Sequence, residues 1–136
     1  MNIDKQVIEQ IIVADDTEKL VSEAEKIGKF LAEYRPPLSS SQIRNVFGTV
    51  KQVSLTWTPQ STPDEAKAAH REILLLKPKL AYQEGRLGKQ QKETMSVMRQ
   101  VLDQSIDLIQ GDAKRFKRFA EFFEAILAYH KAYGGK

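Results

Sequence analysis

Apolar residues recur along the chain at helical spacing, in about five segments that Pro and Gly separate. Ile3, Val7, Ile8, Ile11 and Ile12 fit an opening helix, although so many β-branched residues weaken its helical preference. Asp15, with Glu18 three residues on, reads as a cap, and Leu20, Val21, Ala24, Ile27, Gly28 and Leu31 then line one stripe up to Arg35, ahead of Pro36 and Pro37. Ser39-Ser40-Ser41-Gln42 fits a capping box and predicts a helix through Ile43, Val46, Phe47 and Val50, continuing over Val53 to Trp57. Val53, Leu55 and Trp57 also alternate with period two, but a lone strand would leave its backbone groups unpaired, so helix is the expectation. Thr62-Pro63-Asp64-Glu65 offers an N-cap, a first-turn proline and early acidic residues. Pro78 interrupts the stripe of Ile73, Leu74, Leu76, Leu80 and Leu87 and predicts a kink or break near Lys77. Met95, Met98, Val101, Leu102, Ile106 and Ile109 mark a long helix ending at Gly111. Asp112 can cap the last one, whose stripe is Phe116, Phe119, Ala120, Phe123, Ile126, Leu127 and His130. The expectation is an all-α protein: a single-domain bundle of about five helices over residues 1–136.

Length and composition agree, since 136 residues with 41% hydrophobic and 29% charged content suit one globular domain. The absence of Cys removes disulfides, thiol nucleophiles and Cys-based zinc sites. No apolar run approaches a membrane span and the opening MNIDKQVIEQ lacks a signal pattern, so a soluble, cytoplasmic protein without membrane association is expected. The net charge of +3 is unevenly spread: residues 1–34 hold four Lys against eight Asp/Glu, or −4, which leaves +7 to the other 102 residues. Such asymmetry suits an anionic partner, though it also suits simple solubility.

Catalytic motifs are missing: the chain has no GxSxG, Walker A, GxGxxG, HExxH or Glu-x-x-His sequence. Neither an enzyme nor a bound metal or cofactor is expected. Asp103 and Asp107, four apart, read as a solvated helix face rather than a metal pair. His130 is expected to be partly buried and hydrogen-bonded, and His70 exposed. The cations say more. Lys79, Tyr82 and Arg86 fall on one stripe of the segment after Pro78, opposite Leu76, Leu80 and Leu87. A cation–aromatic–cation row can neutralise phosphates and stack on a base, and it can equally be a solvated face with Tyr82 packed beneath it. Arg44 and Lys51, seven apart, form a second row. Lys114, Arg115, Lys117 and Arg118 surround Phe116 and Phe119 at the positive end of a helix, where cations need an acidic neighbour or a bound anion.

Three stretches, LSSSQIRNVF (38–47), LLLKPKLAYQEGR (74–86) and FAEFFEAILAYHKAYGG (119–135), together resemble the small subunit of type III-A CRISPR interference complexes, the Csm small-subunit family. The likeness covers roughly the last 100 residues, and residues 1–33 add little to it. It implies a non-catalytic helical subunit whose copies line up along the guide-RNA ribonucleoprotein, associate with one another, and contact guide RNA and target RNA. Its companions would be the backbone subunit, which cuts target RNA, and the large subunit, which carries nucleotide-cyclising and DNA-cleaving chemistry. The family's RNA-facing cations map here to Arg44, Lys77, Lys79 and Arg86, with Lys51 and Tyr82 beside them. The closing motif is expected to pack the bundle or a neighbouring copy. The alternative is a helical adaptor or regulator module, with no direct RNA binding, whose basic face only solubilises it.

Overall fold

The apolar stripes become helices in the computed structural model, which describes residues 1–88 and 92–136. Among the described residues there are seven helical segments and no strand: α1 (Lys5–Ile12), α2 (Thr17–Glu33), α3 (Ser40–Ser54), α4 (Pro63–Leu74), α5 (Leu76–Arg86), α6 (Lys92–Ile109) and α7 (Ala113–Ala132). The count exceeds the expected five or so, in part because one apolar stripe is divided between α4 and α5.

Local chemistry sets most of the boundaries. Ser39 Oγ accepts from the Gln42 N–H at 3.3 Å while Gln42 Oε1 accepts from the Ser39 N–H at 3.0 Å, a complete capping box at the start of α3. Thr62 and Glu65 do the same for α4, at 3.2 and 2.8 Å, and the bonds from Thr62 hold the Glu65 carboxyl below its usual range. Asp112 caps α7 by accepting from the N–H groups of Lys114 (2.8 Å) and Arg115 (3.2 Å). Those bonds, the one from Arg115 foremost, depress its pKa. The cap of α2 is Asp16, which accepts from the Lys19 N–H at 3.1 Å, and not the expected Asp15. Asp15 instead takes up a left-handed backbone conformation (φ 57°) and places its carboxylate 3.4 Å from Arg118.

The break in the fourth stripe comes at Leu75, slightly before the expected Lys77. Pro78 is therefore in the first turn of α5, where an N–H would have no partner within the helix and its absence costs nothing. Helix α3 stops at Ser54, short of Trp57: the N–H groups of Thr56 and Trp57 both return to the Val53 carbonyl, at 3.0 and 2.9 Å. That turn drops the Trp57 ring into the core, stacked on Phe116 with centroids 4.7 Å apart and planes at 17°. His70, expected at the surface, is half-buried with its ring 5.5 Å from that of Trp57.

Helix α7 is the spine. Phe116, Phe119, Phe122, Phe123, Ile126 and His130 are all buried along it, and α2 packs against it more extensively than any other pair of helices in the protein. Helix α1 packs on α6, α7 and α2 through Ile8, Ile11 and Ile12, so burial settles the helical state of a segment that propensity left weak. Gly28 lets α2 approach closely: a Cβ there would lie 2.7 Å from Tyr129 Cβ and 2.8 Å from both the Ile126 carbonyl oxygen and the His130 nitrogen. His130 is fully buried, not partly, and its Nε2–H donates to the Leu38 carbonyl at 2.8 Å. Gly135 closes over its imidazole ring, where any side chain would overlap it.

Candidate nucleic-acid interface

Helix α5 is attached by one face. Leu76 and Leu80 are buried and Leu87 packs against the core. Lys77 Nζ meets Asp107 Oδ1 of α6 at 2.6 Å, and Glu84 Oε2 accepts from Arg99 at 3.1 Å. Because residue 77 pairs with 107 and residue 84 with 99, α5 and α6 run antiparallel. Arg99 also reaches Asp103, at 3.4 Å, and the Glu84 hydrogen bond leads the causes that raise its pKa.

The opposite face of α5 is therefore fixed toward solvent. Lys79 and Arg86 are exposed, and Tyr82 is 65% exposed, so its ring is not packed beneath them. The Arg86 guanidinium lies 5.6 Å from the centre of the Tyr82 ring, a cation–π contact that draws the two into one surface. Lys77 is placed elsewhere: on the α6 side of α5, its charge already answered by Asp107.

Arg44 and Lys51 are exposed on α3, on the side away from buried Ile43, Val46 and Val50. Helix α3 packs on α7 and α4, whereas α5 packs on α6 and α4, so the two basic rows stand on separate parts of the surface. The cluster at the start of α7 divides by role. Arg115 donates to the Leu108 carbonyl (3.1 Å) and to Gln110 (3.0 Å), and Arg118 donates to the carbonyls of Ile12 (3.1 Å) and Val13 (3.2 Å). These two arginines tie the ends of α6 and α1 to α7, while Asp112 and Asp15 supply the acidic neighbours that cations at a helix start require. Lys114 and Lys117 remain exposed beside a groove of about 890 Å³ whose lining includes Trp57, Phe116, Glu121 and Glu124. Sequence periodicity did not reveal that groove, because its walls come from α2, the segment after α3, and α7.

Asp103 and Asp107 each face a cation, Arg99 and Lys77 respectively. Among the described residues no group of three or more His, Cys, Asp or Glu side chains is placed to hold a metal. No helix among them is long and apolar enough to cross a membrane.

Fold and surface together define a class: an all-helical bundle that presents cationic rows, one of them built around an exposed tyrosine. Residues 14–136 match the model of the Csm2 Type III-A family, and the chain belongs to that family, the small subunit of type III-A CRISPR-Cas. Its partners are accordingly other subunits of the Csm complex, in which the family is a structural component. The match begins before α2 and so extends well into the stretch that the three motifs left almost uncharacterised. Comparison with curated proteins and with solved structures finds no match.

Proposed function

We propose that this subunit binds guide and target RNA without catalysis of its own, along the line of backbone subunits in a cytoplasmic complex, with residues 1–136 acting as one domain. The observation that carries the reading is the outward stripe of Lys79, Tyr82 and Arg86 on a helix held from behind. Arg44 and Lys51 extend the RNA-facing surface on α3. Lys77 takes part only by exchanging Asp107 for a phosphate. Recognition is of backbone charge and shape, since guide–target pairing already supplies sequence specificity.

Ala at Arg44, Lys79 and Arg86 together is expected to weaken binding of a mixed-sequence RNA duplex and to flatten the plot of log K against log salt by roughly 0.7–0.9 for each phosphate deprived of its cation. The melting temperature should hardly move, because exposed charges contribute only about 0–1 kcal/mol. Tyr82→Phe against Tyr82→Ala separates a hydroxyl contact from stacking. Undiminished binding and normal assembly of the triple variant would sink the RNA reading.

A protein-contact reading has its own support. Leu74 and Leu75, each 42% exposed, sit at the junction of α4 and α5, close in sequence to the cationic stripe, and suit docking on another subunit. Self-association belongs to the same proposal, and because the apolar stripe of α7 is buried in the core, a contact through that helix would use its exposed polar side. Light scattering should then show dimers or short stacks as concentration rises, and a monomer throughout would refute it.

A further inference from the structure

Helices α3 and α7 run antiparallel, as the ring contacts Phe47–Phe123 (centroids 5.7 Å apart) and Trp57–Phe116 require. Between them lies a cleft of about 320 Å³, walled by Ser40, Arg44 and Phe47 on α3 and by Glu124, Leu127 and Lys131 on α7. We infer that this cleft seats a phosphodiester group of the RNA backbone between the Arg44 guanidinium and the Lys131 ammonium. The inference rests on the RNA reading above and extends it to α7, whose closing motif was expected only to pack.

Several observations lead there. Arg44 and Lys131 come from different helices, both are exposed, and neither is among the ion pairs of the described residues. Phe47 and Leu127 make the walls partly apolar, which strengthens charge interactions at the mouth. The floor is fixed, because buried His130 also lines the cleft and is held to the Leu38 carbonyl. The start of α3 adds the positive end of its helix dipole close to Arg44. Glu124 opposes an anion, but it stands seven residues from Lys131, about 10 Å along the helix axis. Arg44 and Lys131 together outnumber that carboxylate, so the lining of the cleft carries a net positive charge. Nucleic acid is favoured over an acidic peptide because Arg44 also heads the row that continues to Lys51, so a strand laid along α3 passes the cleft.

The test uses the full chain and a fluorescently labelled mixed-sequence RNA duplex, with affinity read by anisotropy over a range of salt. Lys131→Ala is expected to weaken binding several-fold and to flatten the salt slope by about 0.7–0.9. Glu124→Gln should strengthen binding, an opposite sign that a purely structural role for the cleft would not produce. Both variants should keep the parent melting temperature. If both bind like the parent while Lys79→Ala and Arg86→Ala weaken binding, the cleft is not an RNA site and the reading on α5 stands. If the parent itself shows no salt-dependent binding, the RNA reading fails and the cleft with it. If Lys131→Ala leaves RNA binding intact but impairs assembly with purified partner subunits, the cleft holds an acidic protein segment and the inference is overturned.

Discussion

Replacing Trp57 by alanine should lower stability by about 3–5 kcal/mol, a large share of the 5–15 kcal/mol that holds a domain of this size folded. The ring is 3% exposed, stacks on Phe116 at 4.7 Å and meets His70 at 5.5 Å, although its backbone lies in the irregular segment after α3. Removing it deletes buried apolar area and one aromatic stack together. The adjoining groove of about 890 Å³ admits water to part of the hole, which places the loss toward the lower end of that range. Trp57→Phe keeps a ring over Phe116 and should cost much less. Urea unfolding followed by circular dichroism is the suitable measurement, because the chain has one Trp and the variant loses its fluorescence. A loss under about 1 kcal/mol for Trp57→Ala would show that the stack is not part of the core.

Gly28→Ala and Gly48→Ala should act in opposite directions, although both put the better helix former inside a helix. Intrinsic propensity favours each change by up to about 1 kcal/mol. At Gly48 a Cβ meets nothing within 4 Å, so that gain should emerge as a higher melting temperature. At Gly28 the added carbon would lie 2.7–2.8 Å from three atoms of α7, two of them backbone, which cannot rotate aside as a flexible side chain can. The two helices must separate along the most extensive interface in the protein, and overpacking of this kind costs about 1–3 kcal/mol or more, enough to outweigh propensity. Equal signs in a thermal melt of the two variants would mean that α2 and α7 are not so close.

What was legible in the sequence was what neighbours in sequence decide. Ser39 with Gln42, Thr62 with Glu65, and Asp112 before α7 are contacts within one helical turn, so their residue types and spacing are almost sufficient. The stripes of α5 and α7 were readable for the same reason, and they gave the opposed faces of Leu80 and Tyr82 correctly. Asp15 and Asp16 were not distinguishable by local spacing, and the partner that Asp15 has instead, Arg118, is more than a hundred residues away. Lys77 belongs with Lys79 by motif, yet its position faces Asp107, and no local pattern announces a partner thirty residues on. His70 and Trp57 show the same limit: the turn after Val53, not periodicity, brings the two rings together. Lys131 was absorbed into an apolar closing motif, and only the antiparallel packing of α3 shows that it stands across a cleft from Arg44.

The union of α2 with α7 also bears on how the chain reaches this state. Gly28 and Tyr129 meet across most of the length of the chain, so their encounter closes a very long loop before any burial compensates the lost chain entropy. The pairs α3–α4, α5–α6 and α6–α7 join helices that are neighbours in sequence and close much shorter loops. They can form while α2 is still unattached, leaving a broad apolar strip of α7 uncovered. The largest interface of the bundle is thus also among its most far-reaching, and stopped-flow refolding is expected to be slower than the high helix content alone would suggest.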